Sequence, residues 1–362
     1  MKFQGIQILR AIAALTVAAS HLSLYSTRIF HFDFAILDFF ATHAIISYAL
    51  VLFFGISGFV MAHAMRAAPP GEFLLLRLLR LYPTYWFAAL AVMALKLIRD
   101  GHYNVSALQI VTGLFLMPRG DNVHFALSVE WTLIYELFFY LAITLFAWIG
   151  GYRGFLIGCG LWLAAIVIRC VVWPNQGMIE MTARLHWSNV PLSGWHIPTL
   201  IGVFAYQIRE RSGTLALGWK FLAVTLLFHS YLYAQKTELW LVMEGVAAAL
   251  MIWWFADMAI ADTHFLVRLG DASYGIYLLH VPIIVAYLEL MHDRFGWVGP
   301  GSWNLLPAAW MLVLSIGFAY GWFESKMYRR MRKWAGRNSG RAKSFECEGR
   351  DLNPHSLAAA RT

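Results

Sequence analysis

The chain has 362 residues, of which 60% are hydrophobic, 16% aromatic and only 13% charged, and its mean hydropathy is +0.60. A soluble domain carries about 25% charged residues, so this one has too little polar surface to face water and its solvent must be mostly lipid. The net charge of +8 does not argue for nucleic acid, because the basic residues are spread over short loops between apolar runs, as the positive-inside rule describes. Three widely separated cysteines (Cys159, Cys170, Cys347) without a CxxC pair exclude a disulfide framework and a zinc site, and no metal is expected.

A span needs about 20 mainly apolar residues. Taken in chain order, the apolar runs predict an all-α polytopic bundle of about ten spans, near 5–24, 43–65, 73–97, 126–149, 154–173, 195–209, 214–234, 239–261, 271–291 and 303–323. The first run holds Arg10 and no small-residue cleavage site, so it reads as a span and not as a signal peptide. The run 106–118 is too short to cross and reads as a re-entrant or interfacial helix. The sixth span is short and contains Pro198 and Gly202, which predict a kink. With the N-terminus in the cytoplasm, 20 of the 28 lysines and arginines fall inside, 7 outside and Arg169 within a span; without the tail the ratio is 10 to 7. Both termini are then cytoplasmic. Residues 1–334 read as one transmembrane domain and 335–362 as a disordered cytoplasmic tail. No internal repeat is visible, which weakens an inverted-repeat transporter reading.

Charged groups inside spans are costly and mark candidate sites. Arg10 and His21 lie eleven residues apart in the first span, roughly 16 Å along one helix face. Glu130 and Glu136 open the fourth span, and His280 lies deep in the ninth, three residues after Tyr277. Each has a bland alternative: Arg10 snorkelling to inner headgroups, Glu136 pairing with a neighbouring histidine or tyrosine, His280 bonding helix to helix. The stretch Arg77-Leu-Leu-Arg80-Leu-Tyr82-Pro83-Thr-Tyr85-Trp86 is either a topology anchor or, through its guanidinium forks, a phosphate site on the inner face.

Several stretches resemble the membrane acyltransferase-3 family. Arg10-x10-His21 is similar to its first span, and Phe53-Phe-Gly-Ile-Ser57-Gly58-Phe-Val to its FFxxSGFV segment. Arg77 to Trp86 resembles RRxxRIYPxYW, Trp131-Thr-Leu-Ile-Tyr-Glu136 the W-S-L-x-x-E segment, Ser273 to His280 SYxxYLxH, and Trp322-Phe-Glu324 the closing W-x-E. The six motifs run in order from residue 9 to 324. Leu-Ser-Val-Glu130 offers a second register for the family's glutamate.

The resemblance implies an O-acyltransferase of the bacterial inner membrane, moving an acyl group, in the family usually acetyl, from cytoplasmic acetyl-CoA to a hydroxyl of a surface polysaccharide or lipid-linked sugar. His21 would be the general base, with Glu136 orienting it and Glu130 and His280 as further catalytic candidates. Arg10, Arg77, Arg80, Tyr82 and Ser57 would bind the donor, and Ser57 is also the nearest candidate for a covalent intermediate. Expected partners are the sugar acceptor, acyl-CoA and membrane lipid, with a homo-oligomer left open. Outer-loop residues Tyr25, His31, Asp33, Trp187, Asn189 and Trp195 suit sugar contacts without naming a sugar. The rival readings are a flippase for lipid-linked sugars, in which the buried His, Glu and Arg form a proton path, and a structural subunit of an assembly complex.

Overall fold

A computed structural model describes residues 3–30, 43–101, 105–118, 120–121, 126–173, 184–232, 238–297 and 304–338. The helices are α1 (Gln4–Phe30), α2 (His43–Ala67), α3 (Pro70–Asp100), α4 (Ala107–Leu114), α5 (Glu130–Val172), α6 (His196–Ser212), α7 (Leu217–Leu232), α8 (Trp240–Ala256), α9 (Phe265–Asp271), α10 (Ser273–Phe295) and α11 (Leu305–Asn338). Among the described residues the extended pairing is a two-residue antiparallel bridge, Gly120–Asp121 (β1) on Arg184–Leu185 (β2). The protein is all-helical in substance, because backbone groups within a bilayer have to be satisfied inside their own segment.

Among the described residues six helices are long and apolar enough to cross a membrane: α1, α2 from Ile45, α3, α5, α10 and α11 as far as Arg332. One of them is a hairpin. Gly150 and Gly151 leave the helical region, Gly151 at φ 60°, ψ −152°, a conformation that favours glycine. Beyond the turn the chain doubles back, so that Phe139 and Phe146 both set their rings on Trp162, at 6.0 and 6.1 Å. In a straight helix Phe139 and Trp162 would stand about 34 Å apart. The sequence reading of separate runs at 126–149 and 154–173 corresponds to the two arms. The runs read as the sixth, seventh and eighth spans form helices of only 16 or 17 residues. Those rise about 25 Å against a hydrocarbon core of about 30 Å, so length and composition alone do not establish ten crossings. Pro198 lies in the first turn of α6, where its missing N–H breaks nothing, and not at a mid-helix kink. At the other end, α11 runs four residues past the 334 boundary, and residues 339–362 lie outside the described residues.

Small residues let backbones meet, the usual means of helix association in lipid. A Cβ on Gly58 would lie 1.8 Å from the Thr199 carbonyl oxygen, and one on Gly202 would lie 2.2 Å from that of Gly55. The two glycines of the Phe-Gly-Ile-Ser-Gly-Phe segment therefore bring α2 against α6. Gly5 meets Phe255 of α8 and Gly270 meets Gln7 of α1 in the same way. Arg169, the one basic residue counted inside a span, donates to the Leu192 carbonyl at 2.7 Å and pairs with Glu238, which is wholly buried.

The run 106–118 forms α4, opened by a capping box between Ser106 and Gln109. It turns back along α3. Tyr85 Oη donates to Gly113 O at 2.8 Å, Trp86 Nε1 to Leu114 O at 2.8 Å and Tyr82 Oη to Phe115 O at 3.0 Å. These carbonyls lie at the C-terminus of α4, where intrahelical donors run out, and Gly113 O also accepts from Leu116 N–H at 3.0 Å. Trp86 lies 14 residues before the end of α3, about 21 Å along it, which is the geometry of the re-entrant alternative.

Replacing Gly58 or Gly202 by valine drives a Cβ into backbone and is expected to cost at least about 1–3 kcal/mol. Gly71→Ala, with nothing within 4 Å, should be silent. Thermal unfolding of detergent-purified variants measures both. By the same assay Tyr85→Phe, which removes one donor from the carbonyl of buried Gly113 and leaves it the Leu116 N–H, should lose about 1 kcal/mol.

Candidate active site

Five helices enclose a cavity of about 110 Å³ within the bundle. α1 contributes Arg10; α2, Phe53 and Ser57; α3, Arg77 and Arg80; α5, Thr132, Glu136 and Tyr140; and α10, Tyr274 and Tyr277. Arg77 and Arg80 are three apart on α3, so both reach the same side. Arg77 lies over the Phe73 ring at 5.4 Å and Arg80 over Tyr328 at 6.0 Å, which steers the guanidiniums without neutralising them.

The charges do not pair off. Among the described residues none of the three arginines has a carboxylate within 4 Å, and the buried Nε of Arg77 has no hydrogen-bond partner. Arg10 makes a long contact of 3.4 Å to Gln7 Oε1. Glu136 and Glu324 lie within electrostatic range of Arg10 and Arg80 but not in contact with them. Glu136 instead accepts a hydrogen bond from Tyr140 Oη, one helical turn on. A buried cation without a partner is costly, and three around one cavity form an anion site by their chemistry.

A second cluster lies further along α1 and α10. His280 Nδ1 is 2.7 Å from the Tyr277 carbonyl, so that nitrogen carries the proton, and in the neutral ring Nε2 is an acceptor. His21 Nδ1 lies 3.0 Å from Val17 O and 3.2 Å from His280 Nε2. Both are acceptors, so His21 Nδ1 also carries its proton and shares it between them. What remains on His21 is Nε2 with a free lone pair, the state a general base requires.

Several sequence-predicted residues therefore meet. Arg10, Arg77, Arg80, Ser57 and Glu136 share one cavity, and His21 meets His280. Glu136 and His21, read from the sequence as one relay, are instead bonded to different partners. Glu130 is 1% exposed, and its Oε1 accepts from the backbone N–H groups of Ala126 and Leu127 at 2.6 and 2.7 Å. It fastens the turn into α5, where Ser128 has a φ of 65°. Tyr82 is spent on Phe115 O and does not line the cavity. Trp195 is fully buried against Phe54 and Trp131 and offers no surface to a sugar, whereas Trp187 is 59% exposed. His31 and Asp33 lie outside the described residues. Thr132, Tyr274 and Tyr277 were not singled out from the sequence. The available signal was spacing, since Tyr274, Tyr277 and His280 recur every three residues on one helix face.

A family model described as an acyltransferase domain matches residues 3–323. The chain belongs to the acyltransferase-3 family. No curated protein and no solved structure matches the chain significantly. Each cavity arginine, both histidines and Glu136 fall within the span of the acyltransferase-3 match, which reaches from the first described residue to the residue before Glu324.

Glu130→Gln, which keeps a carbonyl oxygen for the two N–H groups, should leave stability close to wild type. Glu130→Leu should lose about 1–3 kcal/mol, because it orphans two buried donors. Unfolding midpoints of the two variants check this assignment of Glu130 to the turn.

Proposed function

We propose that this acyltransferase moves an acyl group, acetyl in the simplest case, from cytoplasmic acyl-CoA to a hydroxyl of a surface polysaccharide or lipid-linked sugar. The observation that carries the reading is the set of three guanidiniums around one cavity that have no carboxylate partner among the described residues. Guanidinium forks match phosphate oxygens, and a donor bearing several phosphates supplies the counter-charge that the protein withholds. On this reading the chain crosses the bacterial inner membrane about ten times with both termini in the cytoplasm. The arginines then face the inner side, and His21, roughly 16 Å further along α1, lies toward the outer one.

The chemistry balances with residues of this chain. His21 Nε2 takes the proton of the acceptor hydroxyl as its oxygen attacks the thioester carbon. The C–S bond breaks, and the CoA thiolate leaves and takes the proton back from the imidazolium. His21 Nδ1–H, held by Val17 O and His280 Nε2, keeps the ring in the required tautomer throughout. Glu136, beside the arginines, limits their mutual repulsion and does not orient the base.

Purified protein in proteoliposomes, given acetyl-CoA inside and a polysaccharide outside, should release CoA thiol and acetylate the sugar. A flippase would move a lipid-linked sugar without consuming acetyl-CoA. Arg77→Ala and Arg80→Ala should each raise the KM for acetyl-CoA by about tenfold or more, the worth of a hydrogen bond to a charged group. His21→Ala should abolish transfer with the protein still folded, and normal acetylation by that variant would remove His21 from the mechanism.

A further inference from the structure

The arginine cavity and the histidine pair are neighbours, yet they do not communicate. Neither His21 nor His280 lines the cavity, and Tyr277 both lines it and touches His280. Tyr274, Tyr277 and His280 follow one another up a single face of α10, about 9 Å from first to last. Tyr274 lies beside Arg80, Glu136 and Glu324. Tyr277 lines the cavity, and its ring also meets the His280 imidazole, with centroids 5.7 Å apart. Phe53 backs the same ring at 5.6 Å. A donor anchored by its phosphates among the arginines has to bring its reacting carbon past this ring to come within reach of His21.

The ring is held in place by a hydrogen bond of defined direction. Thr132 Oγ1 donates to Val129 O at 3.0 Å, so its proton is taken. The 2.7 Å contact between Tyr277 Oη and Thr132 Oγ1 is therefore donated by the tyrosine. That bond joins α10 to the first turn of α5 and fixes the ring in the cavity lining. An aromatic wall backed by a second aromatic and pinned at its tip discriminates by size.

We propose that Tyr277 is the specificity-determining residue for the acyl group: its ring limits the chain that can pass from the arginine cavity to the histidine pair, and so restricts the donor to short acyl groups. The inference rests on the acyl-transfer reading above. It adds that the selection lies in one side chain, pinned by Thr132 and backed by Phe53.

The test compares acetyl-CoA, butyryl-CoA and hexanoyl-CoA as donors in proteoliposomes, with total surface polysaccharide of the host cell as acceptor. Thiol release and acyl transfer are both measured. Wild type is expected to prefer acetyl strongly. Tyr277→Ala and Tyr277→Leu should raise the ratio of hexanoyl to acetyl turnover by about tenfold or more, and Tyr277→Phe, which keeps the ring, should leave that ratio near wild type. An unchanged ratio in the Ala and Leu variants, with acetyl transfer retained, overturns the proposal. So does a Tyr277→Phe shift as large as that of Tyr277→Leu, because the ring would then not be the selector. Should Tyr277→Ala fail to fold, Phe53→Ala removes the backing ring and is expected to shift the ratio in the same direction; no shift there counts against the wall. A wild-type protein that consumes none of the three donors overturns the acyl-transfer reading itself, a result distinct from an unaltered ratio, and the wall falls with it.

Discussion

Three guanidiniums held inside an apolar bundle, with no carboxylate partner among the described residues, are the constraint on which the rest of this structure depends. Each costs free energy to remove from water, and none recovers it by ion pairing. Arg10 comes from the first helix, Arg77 and Arg80 from the third, so the cluster exists only while those helices keep their places around the cavity. The contacts that keep them there carry no charge. Gly5 and Gly270 bring α1 against α8 and α9, and Gly58 and Gly202 join α2 to α6, at distances where any side chain would collide with backbone. Close backbone packing suits this task, because in lipid the helices gain nothing from hiding apolar surface and have to rely on fit.

Within that frame the two chemical clusters share helices and not partners. Arg10 and His21 both lie on α1, and Tyr274 and His280 both lie on α10, so the spacing between the anion site and the histidine pair is set by helical rise. Arg77 and Arg80 are steered by aromatic faces and the histidines by backbone carbonyls, which fixes orientation without neutralising a charge or consuming the free lone pair of His21. Positioning of this kind is the means by which a site aligns its reacting groups before a substrate arrives.

Much of this was legible in the sequence, for a physical reason. A charged residue within an apolar run is rare enough to be its own signal, and Arg10, Arg77, Arg80 and Glu136, picked out that way, line one cavity. The Gly150–Gly151 turn was legible as the break between two apolar runs. Partnership was not legible: Glu136 and Glu130 are equally conspicuous in a span, yet one borders the arginines and the other accepts from the backbone at 2.6 Å. Nor was burial of Trp195, whose position beside a polar loop suggested a surface ring. The 16- and 17-residue helices show the limit of counting spans, since an apolar run records solvent preference and not the distance travelled.

The stretch from Arg77 to Trp86 shows most clearly how one run of sequence serves two faces of a helix. Arg77, Arg80 and Leu81 line the cavity. Tyr82, Tyr85 and Trp86 turn away from it and hold the C-terminal carbonyls of α4. Between them Pro83 removes the N–H that would bond Leu79 O, a local break in the ladder. Around that break Leu81 O accepts from Tyr274 Oη at 3.4 Å and Thr84 O from Tyr320 Oη at 2.6 Å. Hydroxyls of α10 and α11 thus grip the helix where its own hydrogen bonding is weakest. The aromatic residues, which from sequence alone resemble an interfacial belt, instead fasten α3 to α4, while tyrosines of α10 and α11 fasten it from elsewhere in the bundle. The two arginines project from the segment so held, and a helix restrained at several points can keep unpaired cations aimed at a cavity that an unrestrained one would let turn away.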